Sequence, residues 1–112
     1  MIETDLAGVA RMQAESVRAE GLDPDGAGPH AGEFETSLVA ALRPGSVRRA
    51  ELAPGRIATA ERAQAFFYPS LRKNAPDGVL GDPSQASADR GARYLDAWVE
   101  LLEARYRSAF GA

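Results

Sequence analysis

His30-Ala31-Gly32-Glu33-Phe34-Glu35-Thr36-Ser37-Leu38-Val39-Ala40-Ala41-Leu42-Arg43-Pro44 is the stretch on which the reading of this chain turns. Phe34, Leu38 and Leu42 repeat at i, i+4, i+8, so the spacing predicts a helix from about Gly32 to Leu42 with an apolar stripe. Glu33 and Glu35 fall in its first turn, where the helix dipole favours negative charge. Pro44-Gly45 ends it. His30, the only histidine in the chain, stands in the loop at the mouth of this helix. An imidazole titrates near neutrality, so a loop histidine beside carboxylates is a candidate acid/base group. A helix N-terminus can also hold an anionic group or a developing oxyanion. The same residues admit a plainer reading, in which His30 is a solvated loop side chain and the two glutamates are dipole partners.

Upstream, Thr4 to about Glu20 reads as a helix capped by Thr4 or Asp5, with Leu6, Val9, Ala10 and Val17 near one face. Gly21 is its left-handed stop. Residues 22–29, Leu-Asp-Pro-Asp-Gly-Ala-Gly-Pro, read as a loop without regular structure. Asp23-Pro24-Asp25-Gly26 lacks the twelve-residue pattern of a calcium loop. Downstream, 45–80 carries a short helix over Thr59–Phe67 and an aromatic cluster, Phe66-Phe67-Tyr68, before Pro69. The last helix is expected from Pro83 to Ser108. Asp82 would be its N-cap, with Pro83 at the first position and Gln85 completing a capping box. Leu95, Trp98, Val99, Leu102 and Tyr106 would form its apolar face. The fold class is therefore mainly helical, about three helices with little strand.

With 112 residues, 45% hydrophobic and 26% charged, the chain is one small globular unit. The net charge is −3, and the 13 basic residues are scattered rather than gathered into a stripe with aromatics, so nucleic acid is not an expected partner. The absence of cysteine excludes disulfides, thiolate metal sites and cysteine nucleophiles. No signal-peptide run or membrane span is readable, so a cytoplasmic protein with no membrane partner is expected. The alanine, arginine and glycine usage suits a GC-rich bacterial genome.

The segment from His30 through Ser37, Ala41-Leu42 and Pro44 to Val47 resembles the creatininase family's His-[Ala/Gly]-Gly-x-x-Glu-Thr-Ser-x-x-x-Ala-Leu-x-Pro. Gly78-Val79-Leu80-Gly81-Asp82-Pro83, then Ala86-Ser87 and Gly91, is similar to that family's closing turn and C-terminal helix. The two blocks together span about residues 28–107. The resemblance implies that 1–112 is one partial domain, the C-terminal portion of an α/β/α creatininase-like sandwich. Members hydrolyse amide-type C–N bonds, cyclic or linear, with two divalent metal ions. Their metal ligands, a Glu-x-His pair, an Asp and a later His, lie in the N-terminal half and are not in this sequence. The resemblance assigns His30 to proton transfer to the leaving nitrogen and Glu35 to orienting it. Creatininase itself carries a tryptophan lid ahead of the motif. Here that loop has Gly26 and Ala27, which points away from creatinine as substrate.

The expected function is thus that of a portion or split subunit of a creatininase-type amidohydrolase acting on non-peptide or cyclic amide bonds. A divalent metal, zinc or manganese, would be bound by a complementing N-terminal half and not by this chain alone. Expected partners are that half or further copies of the chain, with a small-molecule amide as substrate. The alternative is a non-catalytic helical interaction module derived from the family.

Overall fold

The computed structural model describes residues 6–57 and 69–111. The proposed Thr4/Asp5 cap, the Thr59–Phe67 helix and the Phe66–Tyr68 cluster lie outside them. Helix α1, Leu6–Ala19, ends as its sequence demands. Gly21 adopts φ 75°, and the amides of Leu22 and Gly21 donate back to the carbonyls of Val17 and Arg18 at 3.2 and 2.9 Å. This closing motif needs a residue without a Cβ at the left-handed position. It also turns Leu22 onto the core beside Val17.

The segment read as a plain loop contains α2, a single turn at Pro24–Ala27. Asp23 caps it by accepting from the amides of Asp25 and Gly26, and Pro24 occupies a position where a missing N–H costs nothing. A proline-glycine composition that cannot sustain a long helix is compatible with one capped turn. Helix α3 follows at Glu33–Leu42 with Gly32 as N-cap, close to the expected bounds. A 3-10 turn at Arg49–Glu51 and the short α4, Leu71–Asn74, come next.

The long helix α5 runs over Ala88–Phe110 and starts later than its sequence suggested. Asp82 does cap, but what it caps is a 3-10 turn at Pro83–Gln85. The chain then extends through Ala86, and Ser87 caps α5 by accepting from the amide of Arg90. Two serviceable caps compete here within a short stretch, and tertiary packing selects between them. The amide of Ser87 donates to Ser37 Oγ on α3 at 3.0 Å, which fixes the start of α5 against its neighbour.

α3 and α5 lie antiparallel, since Phe34 meets Tyr94 and Trp98 at ring separations of 4.5 and 5.2 Å while Ser37, one turn on, meets Gly91. The buried core is Val17, Ala27, Phe34 and Tyr94, with Leu22, Leu38 and Trp98 packed around it. The face of α5 that goes inward is therefore Gly91/Tyr94/Trp98 and not the whole expected stripe. Val99, Leu102 and Tyr106 are 61%, 46% and 49% exposed. Leu42, last of the expected α3 stripe, is also exposed.

A buried ionic cluster locks the two helices. The Glu33 carboxylate, 1% exposed, accepts from Ser37 Oγ at 2.7 Å, Arg90 Nε at 2.6 Å and Tyr94 OH at 2.9 Å. At the near end of α1, Glu20 takes a bidentate pair of bonds from Arg93, both 2.7 Å, which hold its carboxyl below the usual range. Burial, and next the bond to Glu33, push the Tyr94 hydroxyl above its ordinary pKa. In the unfolded chain a phenol ionises near about pH 10, so the folded state keeps this proton longer. That stabilisation is fully present below the unfolded value and is lost as pH rises through the folded one. Tyr94→Phe, which keeps the ring and removes the donor, is expected to cost about 1–2 kcal/mol at neutral pH. It should also flatten the alkaline decline in stability. Urea denaturation at neutral pH and at about pH 10.5 checks both; an unchanged alkaline slope would contradict the assignment.

Among the described residues no strand forms, and the architecture is mainly helical. Two isolated bridges, His30 with Leu80 antiparallel and Arg56 with Leu80 parallel, are the nearest approach to a sheet. The β layer of the expected α/β/α sandwich is not seen among the described residues. Among the described residues no helix is long and apolar enough to cross a membrane.

Candidate functional site

His30 is placed by a backbone crossing. Its amide and carbonyl pair with Leu80 at 3.4 and 2.8 Å, and the Asp82 amide donates to the Gly26 carbonyl at 2.8 Å. The two strands of chain touch at Gly28 and Gly81. A Cβ on Gly28 would lie 1.8 Å from the Leu80 carbonyl oxygen, and one on Gly81 would lie 2.5 Å from Gly28 Cα. Only glycine permits that approach, and Gly28 also sits at φ 80°. Leu80 is fully buried beneath the crossing, and Gln13 Nε2 of α1 donates to the Gly28 carbonyl at 2.9 Å. The two sequence blocks, 28–37 and 78–83, therefore meet in space, and His30 lies at their junction.

After His30 the chain turns through Ala31, the one non-glycine residue with positive φ among the described residues, at 53°. An L-residue there carries a strain of about 1–2 kcal/mol. The turn is held by the Ala31 amide, which donates to Glu35 Oε2. Glu35 Oε2 also faces His30 Nδ1 across 3.9 Å, an ion-pair distance when the imidazole is protonated and too long for a hydrogen bond. Glu35 thus steadies the turn that carries His30, and its carboxylate lies beside the ring. His30 and Glu35 are both partly open to solvent, with 39% and 48% of their side chains exposed.

Thr36 lines the surface beside Glu35, whereas Ser37 points inward, donating to Glu33. Glu33, read in the sequence only as a dipole partner, is the buried anchor of the motif helix. The signal for it was two matched i, i+4 pairs, Glu33/Ser37 and Arg90/Tyr94, which place complementary groups on facing helices.

Among the described residues no group of three His, Asp or Glu side chains converges to hold a metal ion, and the chain has one histidine and no cysteine. A catalytic zinc site takes three protein ligands, so the described residues do not fit one. Calorimetric titration of the chain with zinc or manganese is expected to show no tight one-to-one binding; submicromolar stoichiometric affinity would refute this.

A family model described as creatinine amidohydrolase matches residues 3–105. The chain belongs to the creatininase family. The match takes in α1, which the motifs alone do not reach. Among curated proteins, the mycofactocin precursor peptide peptidase of Mycobacterium tuberculosis (strain ATCC 25618 / H37Rv) is 35% identical over 96 residues, covering 75% of this chain and 37% of that protein. The protein of the same name from Mycobacterium ulcerans (strain Agy99) matches with the same identity and coverage. The chain spans about 37% of the length of these creatininase-family relatives. No solved structure matches.

Proposed function

We propose that this chain is the C-terminal portion of a creatininase-type metal-dependent amidohydrolase and supplies His30 as the group that protonates the departing nitrogen. The observation that carries this reading is the placement of His30. Its backbone is held on both sides by Leu80, its turn is stabilised by Glu35, and its ring is partly open to solvent beside that carboxylate. Amide C–N cleavage needs a proton on the nitrogen as the bond breaks, and a positioned imidazole delivers it. The Glu35 carboxylate lies beside the ring and keeps the loop in register. The family's divalent metal, zinc or manganese, would be held by a complementing N-terminal portion. The partner under this reading is that portion, with a small-molecule amide as substrate.

The test is reconstitution with a metal-binding portion of the family domain. His30→Ala should lower turnover on the order of 10²-fold with metal content and assembly unchanged, and Glu35→Gln should lower it less. Equal rates for wild type and His30→Ala would remove His30 from the mechanism. The other reading, a non-catalytic helical interaction module, is favoured by one feature. Val99, Leu102, Tyr106 and Phe110 form an exposed stripe on the second half of α5, a surface of the kind that docks on another element.

A further inference from the structure

On α1 the apolar positions Leu6, Val9, Ala10 and Val17 fall near one face, and the position that continues this face between Ala10 and Val17 is a polar residue, Gln13. Gln13 stands one turn before Val17, whose side chain is buried in the core, so both lie on the same side of the helix. Gln13 is itself half-buried. A polar side chain packed against the fold needs a partner, and Gln13 Nε2 has one in the Gly28 carbonyl, to which it donates at 2.9 Å. That carbonyl belongs to the Gly28–Pro29 peptide, which has no N–H because proline follows. The carbonyl is therefore the only hydrogen-bonding group this peptide offers. Gly28 holds φ 80° and ψ 154°, and without a Cβ it does little by itself to restrict the rotation of the plane that follows it. The orientation of that plane rests on what binds its oxygen, and Gln13 is what binds it.

Resting on the proposed role of His30, we infer that Gln13 is a positioning residue for that histidine, acting from α1 through the Gly28–Pro29 peptide. His30 lies between two peptide planes, each clamped by a side chain from a different helix. Ahead of it, Gln13 of α1 holds the Gly28 carbonyl. Behind it, Glu35 of α3 accepts from the Ala31 amide, which belongs to the His30–Ala31 peptide. The backbone pairing with Leu80 is uneven across the same residue. On the downstream side the His30 carbonyl accepts from the Leu80 amide at 2.8 Å, whereas on the upstream side the His30 amide reaches the Leu80 carbonyl at 3.4 Å, longer than an ordinary N–H···O bond. The side of His30 that its own backbone holds less closely is thus the side on which Gln13 acts. Together the two clamps set the direction in which the His30 side chain leaves the crossing. A proton donor misplaced by about 1 Å loses much of its effect, so the hold on the Gly28–Pro29 plane bears on the ring as well as on the docking of α1.

The variant that tests this is Gln13→Met, which keeps the length and the helix preference of the side chain and removes the donor. Two measurements read it. The first is amide hydrogen exchange by NMR on the full 112-residue chain. The Leu80 amide, bonded to the His30 carbonyl, is expected to exchange about fivefold faster, the ratio produced by losing one hydrogen bond, beyond any change in the slowest amides of α5. The second is turnover after reconstitution with a metal-binding portion of the family domain. Gln13→Met should lower kcat about tenfold with little change in KM. In a His30→Ala background it should cost nothing further, because its effect passes through the imidazole. Leu80 exchange equal to wild type would overturn the inference, and so would a Gln13→Met loss that multiplies with that of His30→Ala. Wild-type turnover in His30→Ala would instead refute the proton-transfer reading. The exchange measurement reads no catalysis and still decides whether Gln13 holds the loop.

Discussion

Glu33→Ala is expected to destabilise the fold by about 3 kcal/mol, because removing one partner of a buried ion pair leaves the other charge uncompensated. The Glu33 side chain is 1% exposed and that of Arg90 18%. The variant also strips acceptors from Ser37 and Tyr94, both buried. The figure is set at the low end of the usual range for such losses, since Arg90 keeps a 2.6 Å bond to the Gln85 carbonyl and some contact with water. Glu33→Gln, which retains one acceptor oxygen, should cost less. The check is urea denaturation followed by circular dichroism, with the slope compared to confirm that cooperativity is unchanged. A loss below about 1 kcal/mol for Glu33→Ala would place Glu33 among ordinary surface carboxylates and remove the cluster as the lock between α3 and α5.

Gly91→Ala is the second large effect, and its sign opposes helix propensity. Position 91 is inside α5, where alanine is favoured over glycine by about 1 kcal/mol in an isolated helix. In the folded chain a Cβ there would lie 1.9 Å from the Ser37 carbonyl oxygen and 2.4 Å from its carbon. These are backbone atoms of α3 and cannot move aside as a side-chain tip can. The helices would have to separate, loosening the Phe34–Tyr94–Trp98 contacts and stretching the Ser87–Ser37 bond. We expect a net loss of about 2–3 kcal/mol. Thermal unfolding of Gly91→Ala should show a lower midpoint than wild type. A raised midpoint would mean that α3 and α5 do not approach at this glycine.

What could be read from the sequence follows from locality. The α3 helix, the Gly21 stop and the capping role of Asp82 depend on residues within one or two turns of each other. Their signals survive in a linear reading. The family motif is local as well, so His30 and Glu35 could be named before any fold was known. The start of α5 could not be settled this way. Asp82 and Ser87 are both good caps, and the choice rests on Ser37, fifty residues earlier.

The exposed half of α5 has a related cause. Periodicity at 95, 98, 99, 102 and 106 shows that a face is apolar without saying what covers it. The described residues cover it only as far as Trp98. The chain spans about 37% of the length of the curated relatives it matches.

By itself the sequence determined the family, the mainly helical character, the position of α3 and the two polar residues at its mouth, because each is encoded over a few adjacent residues. Only the tertiary structure decided the antiparallel pairing of α3 with α5, the burial of Glu33 among Ser37, Arg90 and Tyr94, and the crossing of Gly28 with Gly81 that holds His30. These depend on atoms some fifty or more residues apart coming within contact distance. No pattern along the chain specifies such an approach until the backbone itself is folded.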